Sequence, residues 1–223
     1  MKAGYLNLKD TIIFFIILFQ SCIWSEPGYS QNKELHRIIS LAPHITEIIY
    51  SIDAESLLVG RTDFCWYPEE ARKVESVGGY LNIDFEKITS LHPDIIFQFP
   101  NDENRRKLEN LGFTVVDVPN ETIAEILDGI RLTGRVLGKE QTAVTVVSKI
   151  QDTLRQVTNR VANQTDPVSA ILVVGRDRGA LSNITLAGTD TYLNEIWQLC
   201  GGENAFPEVA IKYFSVNEED LLK

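Results

Sequence analysis

Short runs of apolar residues alternate with amphipathic segments through the first half of the chain. Four of these runs predict buried strands, at 37–42, 57–62, 94–99 and 114–118. The helices predicted between them carry end signals: Thr46 as an N-cap, Pro68 at a first helical position, Glu86 in a first turn, and Gly112 closing 104–112. Continuous apolar strands that alternate with helices indicate a parallel sheet covered on both faces.

A helical pattern replaces this alternation from Thr122 to about Asn163. One helix is predicted to end near Gly138, and a second spans 139–163. Apolar residues recur in the second helix at spacings of three and four, at Ala143, Val147, Ile150, Leu154, Val157 and Val161. About 24 helical residues span roughly 36 Å, which is enough to cross a domain. We therefore expect a long helix lying along two lobes, with a coiled-coil dimer as the alternative.

A second α/β unit begins after this helix. It has one clearly apolar strand, at 169–175, and a helix at 190–200 that stops at two glycines. The sequence then reaches a new helix start, "SVNEEDLLK", without the strand that the pattern demands next, so we interpret the chain as incomplete at its C-terminus. The predicted organisation is a signal segment (1–25), a tether (26–35), an N-terminal α/β lobe (36–138), a bridging helix (139–163) and a partial C-terminal α/β lobe (164–223).

The first 25 residues differ from the rest of the chain. Lys2 and Lys9 precede an apolar run at 12–19, which is shorter than the roughly 20 apolar residues of a transmembrane helix. This arrangement is typical of a secretory signal. Cys22 directly follows a small serine and resembles the lipidated cysteine of bacterial lipoproteins, although the two residues before that serine, Phe and Gln, depart from the lipoprotein pattern. The sequence is compatible with three fates of this segment: lipidation at Cys22, ordinary signal cleavage, or retention as an uncleaved anchor.

Composition narrows the classes of function. The net charge of −10 argues against nucleic acid and against peripheral binding to anionic lipid, because both need clustered cationic residues. Cys65 and Cys200 lie in different halves and are expected to stay unpaired, and the spacing of His and Cys predicts no metal site. The sequence lacks G-x-G-x-x-G, G-x-x-x-x-G-K-[ST] and G-x-S-x-G, so no catalytic residue is assigned.

Five segments taken in order carry a family resemblance: "RIISLAPHITEIIYSI", "LVGRTDFCWYPEEARKVESVGGYLNIDFEKITSLHPDIIF", "LGFTVVDV", "LAGTDTYLNEIWQLCGGENAF" and "SVNEEDLL". They are similar to the periplasmic solute-binding proteins of vitamin B12 and ferric-siderophore ABC importers. The resemblance implies an α/β fold of two Rossmann-like lobes with mainly parallel sheets, joined by one long bridging α-helix, here with the second lobe incomplete. It also implies a monomer outside the cytoplasmic membrane, touching that membrane only through a lipid anchor, which delivers a small metal-chelate ligand to a permease dimer.

The resemblance also implies a set of ligand-binding residues at the ends of strands: Pro43, His44, Phe64, Trp66, Tyr80, Arg176 and Tyr213. Aromatic residues stand at the positions of Phe64, Tyr80 and Tyr213 in the cobalamin binders of the family. This favours a cobalt corrinoid, since aromatic faces suit a broad, flat, largely apolar macrocycle. A ferric siderophore is the alternative, with Arg61, Arg176 and Arg178 as its cations, and haem is a further one. Any single aromatic could instead be a core residue, and His44 could simply satisfy its helix start.

Two glutamates have a second predicted role. Glu86 and Glu219 are both expected in first helical turns, where a carboxylate offsets the positive helix end by about 0.3–1 kcal/mol. By resemblance they also match the exposed glutamates, one per lobe, that dock on permease arginines. An enzyme on a Rossmann-like fold and a non-functional remnant are the competing interpretations.

Overall fold

The first half of the chain forms one parallel four-stranded sheet. The computed structural model describes residues 37–80, 82–163, 165–180 and 182–222, so the predicted signal segment (1–25) with Cys22 and the tether (26–35) lie outside the described residues. The strands are β1 (Ile38–Ser40), β2 (Leu58–Arg61), β3 (Ile95–Gln98) and β4 (Thr114–Asp117), in the spatial order β2-β1-β3-β4. All their pairings are parallel, as predicted.

Helices cover both faces of this sheet. They are α1 (Pro43–Ser51), α2 (Phe85–Leu91), α3 (Asp102–Asn110), α4 (Ile123–Val136) and α5 (Glu140–Val161). Side chains alternate along each strand, so Ile38 enters the core beneath α1, α4 and α5, while Ile39 enters the core beneath α2 and α3. We call the sheet with α1–α4 the first lobe.

Two predicted helix starts on this lobe are wrong. Helix α1 begins at Pro43 with Ala42 as its N-cap, because proline is preorganised for a first helical position. Thr46 lies inside the helix, is buried, and donates its hydroxyl hydrogen to Ser40 Oγ at 2.8 Å. The segment after Pro68 is a 3₁₀ helix, Glu69–Lys73, with Pro68 as its N-cap rather than its first residue.

The predicted bridging helix is a single unbroken element. Helix α5 has 22 residues and begins and ends within two residues of the predicted bounds. Its first half packs on the first lobe, where Ala143 and Val147 are buried, and it also contacts α4 and a later helix, α6 (Tyr192–Leu199). Within the described ranges, no helix is both long enough and apolar enough to cross a lipid bilayer.

The second lobe contains α6 and five short strands: β5 (Val168–Ala170), β6 (Val173–Gly175), β7 (Ile184–Ala187), β8 (Gly202–Asn204) and β9 (Tyr213–Val216). Strands β5 and β8 pair in parallel, whereas β6, β7 and β9 form an antiparallel sheet. The single strand predicted at 169–175 is therefore wrong. The Ala170 carbonyl accepts from Ala205 and the Leu172 carbonyl from Ala187, so the backbone changes sheets between these two residues.

Candidate ligand-binding site

The loops after β1, β2 and β4 leave the same edge of the sheet, because the carboxyl ends of parallel strands coincide. Pro43 is exposed at the start of α1, and His44 follows it. The His44 Nε2–H donates to the Val118 carbonyl at 2.9 Å, and the ring stands edge-on to Phe99 with centroids 6.3 Å apart. His44 therefore ties α1 to the end of β4 and does not satisfy its own helix start.

The charge state of His44 follows from its surroundings. Burial lowers the pKa of His44 below its ordinary value, and the bond to the Val118 carbonyl only partly opposes this effect. The imidazole is therefore neutral near pH 7. Since a carbonyl can only accept, the proton sits on Nε2 and the free lone pair sits on Nδ1.

An exposed aromatic cluster, Phe64, Trp66 and Tyr80, follows β2. Phe64 is 55% exposed and Trp66 is 57% exposed, and their ring centroids lie 6.2 Å apart. Cys65 between them is buried, with its sulfur 3.2 Å from the Thr62 hydroxyl. The chain thus anchors the middle residue inside and turns both rings outward, so neither Phe64 nor Trp66 is a core residue.

The turn that carries Tyr80 is fixed beside these rings. The Asp63 N–H donates to the Gly78 carbonyl at 2.9 Å, and a Cβ on Gly79 would lie 3.6 Å from the Phe64 ring. Tyr80 follows directly and is 39% exposed. The Trp66 indole N–H donates to the Asp63 carbonyl, which holds the indole in place. The loop after β2 and the turn at 78–80 are therefore hydrogen-bonded to each other, which places the Tyr80 turn beside Phe64.

Tyr213 joins the two lobes at what we call the Glu121 junction, formed by 121–123, Tyr192, Glu195 and Tyr213. The Tyr213 hydroxyl donates to the Glu121 carboxylate at 2.9 Å, and the Glu195 carboxylate accepts from the Ile123 N–H at 2.6 Å. The Tyr192 N–H donates to the Glu121 carbonyl. Burial, and then the bond to Glu121, raise the pKa of Tyr213 to about 12.

The predicted cationic residues have different environments. Arg176 is exposed after β6 and donates to the Ala180 carbonyl at 3.1 Å within its own loop; no contact in the described parts of the chain links it to the aromatic cluster. Arg178 is exposed in the same loop. Arg61 donates to the carbonyls of Thr62, Ala71 and Arg72, so its guanidinium braces the loop after β2.

The two glutamates predicted to dock on a permease, Glu86 and Glu219, are both exposed. Glu86 lies in the first turn of α2, where Asp84 is the N-cap and accepts from the Lys87 N–H at 2.9 Å. Glu219 lies in a turn that precedes a 3₁₀ helix, Asp220–Leu222. The reciprocal hydrogen bonds of Asn217 and Asp220 form a capping-box arrangement around Glu219, so Glu219 lies at the start of this helical segment, as predicted.

Cys65 and Cys200 are both free thiols. Among the described residues, no group of three or more His, Cys, Asp or Glu side chains is arranged to hold a metal ion. Sequence reasoning missed Glu121, whose only signal is its place just after β4, at the carboxyl edge of the sheet.

Comparison with known proteins identifies the family. The sequence profile of the periplasmic binding proteins matches residues 38–223. A vitamin B12-binding protein of Vibrio cholerae is 31% identical over 189 residues, which are 83% of this chain and 66% of that protein. This chain therefore matches slightly less than two thirds of the length of that relative.

Solved structures agree with this match. The periplasmic vitamin B12 binding protein BtuF of Vibrio cholerae has a TM-score of 0.73 and 29% identity, over 85% of this chain and 73% of that one. A possible iron-binding periplasmic solute-binding protein of Staphylococcus epidermidis has a TM-score of 0.72 and 25% identity, over 85% and 74% of the two chains. The fold of two α/β lobes and a bridging helix is thereby confirmed, and this chain belongs to the periplasmic binding protein family, whose members work outside the cytoplasmic membrane.

Proposed function

We propose that this protein is the substrate-binding component of an ABC importer, and that it captures a vitamin B12-like corrinoid between its two lobes. The observation that supports this most is the exposed aromatic cluster at the carboxyl edge of the sheet. Rigid aromatic faces give a flat macrocycle a large contact area at small cost in side-chain entropy. The Vibrio cholerae relatives are vitamin B12-binding proteins, which favours the same ligand here.

The second lobe supplies the opposite wall of the cleft in this proposal. Tyr213 is 41% exposed and is held at the Glu121 junction, and Arg176 is exposed on the loop after β6. The ligand is bound and released chemically unchanged, and a permease dimer receives it.

An N-terminal signal and a lipid on Cys22 would keep a monomeric protein at the membrane surface.

Ferric siderophores and haem are the alternative ligands within the same family. The possible iron-binding relative from Staphylococcus epidermidis favours this class. The geometry supports it less, because Arg61 is engaged by three backbone carbonyls, which leaves Arg176 and Arg178 as the exposed candidates to neutralise an anionic chelate.

Thermal unfolding with added ligand tests the proposal. We expect cyanocobalamin to raise the melting temperature, since ligand at a hundredfold excess over Kd stabilises by about 2.7 kcal/mol. Phe64→Ala and Trp66→Ala should each weaken the Kd about tenfold, because an aromatic contact contributes about 0.5–1.5 kcal/mol beyond buried area. Leu111→Ala removes an exposed apolar side chain outside the cluster and serves as the control.

The outcomes separate the interpretations. A shift with a ferric siderophore or haemin, and none with cyanocobalamin, would replace the corrinoid by the alternative class. No shift with any of the three would overturn the transport function and favour a remnant. Equal losses in Phe64→Ala and Leu111→Ala would show that the aromatic cluster is not the binding surface.

A further inference from the structure

A cavity lies among α1, α4 and α5 on the face of the first lobe that these helices cover. Its volume is about 400 Å³, within the roughly 300–1,000 Å³ range of small-molecule sites. Three helices form its apolar walls, with Ile48 from α1, Ile126 and Ile130 from α4, and Val146 and Ile150 from α5. These side chains belong to the core beneath α1, α4 and α5 or pack against it, so the cavity continues a formed apolar core.

Polar groups stand together around this apolar space, and none of them is cationic. They are His44, Glu47, Ser51, Tyr67, Asn120 and Tyr192, with no Lys or Arg among the described lining residues. The Ser51 hydroxyl donates to the Ile48 carbonyl at 2.8 Å, so its oxygen remains as an acceptor. His44 donates through Nε2 to Val118, which leaves Nδ1 as an acceptor too.

Glu47 supplies the negative charge. Glu47 is an exposed residue that lines the cavity; its partial burial raises its pKa, and no hydrogen bond or ion pair to its carboxylate is found within the described part of the chain. A carboxylate that is partly desolvated and lacks a cationic partner attracts a positive ligand group. Tyr67, Asn120 and Tyr192 can donate as well as accept, so the preference for a cation over an anion comes from the Glu47 carboxylate and from the lack of Lys and Arg in the described lining.

We propose that this cavity binds a small apolar ammonium, with its aromatic or aliphatic body between α1, α4 and α5 and its charged group toward Glu47. The cavity includes His44, which is also among the residues predicted to bind the corrinoid, but the aromatic cluster of Phe64, Trp66 and Tyr80 does not line it. Tyr192 belongs to α6 and to the Glu121 junction, so the occupant contacts the second lobe at that junction.

The test compares three probes of similar size by calorimetric titration: 2-phenylethylammonium, neutral 2-phenylethanol and anionic 3-phenylpropionate. We expect the ammonium to bind at least about tenfold more tightly than the carboxylate, a difference of about 1.4 kcal/mol. Glu47→Gln should abolish this preference while 2-phenylethanol still binds. Glu140→Gln changes an exposed glutamate outside the cavity and should keep the preference.

A second variant tests the walls. Val146→Phe fills the cavity and should remove binding of all three probes, with its fold checked by the melting temperature. Equal affinities for the three probes, no binding of the ammonium, or an unchanged preference in Glu47→Gln would each overturn the proposal. Cyanocobalamin and 2-phenylethylammonium are titrated in parallel on wild type and Phe64→Ala. Because Phe64 does not line the cavity, that variant should weaken only cyanocobalamin, and an equal loss of ammonium affinity would overturn the proposed second site.

Discussion

At the scale of single residues, alternation within a short loop positions the aromatic cluster. Phe64 and Trp66 point outward because Cys65 between them is buried. Their loop context beside a proline, and that of Tyr80 after two glycines, were readable in the sequence and favoured a site over a core. The pairing of Tyr213 with Glu121 could not be predicted from the sequence, because the two residues are 92 positions apart and meet only in the folded chain.

His44 predicts a pH dependence of stability. Its pKa in the folded protein is lowered by burial from an ordinary value of 6.5. As the pH falls below that value, the unfolded chain takes up a proton that the folded chain does not, so the free energy of unfolding decreases until the folded pKa is passed. Urea unfolding at pH 7.5 and pH 5.5 should show this loss in the wild type.

His44→Gln should make that loss smaller, because the variant has no imidazole to protonate. His92→Gln changes an exposed histidine and should leave the wild-type pH dependence in place. If both variants lose the same free energy on acidification as the wild type, burial of His44 does not control the effect.

Tyr213→Phe tests the Glu121 junction. The change removes the bond to the Glu121 carboxylate and keeps the ring, so we expect the free energy of unfolding to fall by about 0.5–1 kcal/mol, the low end for a hydrogen bond because the side chain is 41% exposed. Glu121→Gln retains an acceptor and should cost less. Tyr80→Phe removes an exposed hydroxyl elsewhere and is the control; a loss equal to that of Tyr213→Phe would contradict the role of the junction.

At the scale of elements, local signals identified the starts of α2 and α4, whereas the N-cap predicted at Thr46 and the helical position predicted for Pro68 were wrong. Asp84 caps α2 and Thr122 forms a capping box with Glu125, so both helices begin where nearby side chains satisfy the backbone. The prediction of a single strand at 169–175 failed because its apolar residues do not show which sheet each backbone group joins. Val173 is 47% exposed, so tertiary pairing rather than burial determines its conformation.

The crossing of α4 and α5 depends on one glycine. A Cβ on Gly134 would overlap the Cβ of Ala143 and lie 3.2 Å from the Lys139 carbonyl oxygen. Gly134→Ala gains about 1 kcal/mol of helix propensity, but overpacking costs about 1–3 kcal/mol. We therefore expect net destabilisation, measured by urea unfolding.

The control for this crossing is a double-mutant cycle with Ala143→Gly, which restores the space. The double variant should be more stable than the sum of the two single changes predicts, by at least about 0.5 kcal/mol. Additive effects would show that the two residues do not limit the approach of the helices.

At the scale of the whole molecule, the bridging helix and the Glu121 junction together set how the lobes meet. Helix α5 is continuous over 22 residues and packs on the first lobe, while the junction binds β9 and α6 to the segment after β4. Two such connections restrict hinge motion, so we expect only a small change of lobe separation on ligand binding. In the proposed function, docking on a permease then depends on side chains that are exposed with or without ligand.

Glu86 is such a side chain, and its reversal tests docking separately from capture. Glu86→Lys should leave the Kd for cyanocobalamin within about twofold of the wild type, because Glu86 lies on α2, outside the proposed cleft. Binding to permease in proteoliposomes should weaken about tenfold at low salt, and less at high salt, since a like charge at an exposed rim reduces encounter and orientation. Glu140→Lys places the same charge in the first turn of α5 and carries the same helix-dipole cost, which makes it the matched control. Equal docking by wild type and Glu86→Lys would reject the proposed contact, whereas equal weakening by both variants would trace the effect to net charge rather than to Glu86.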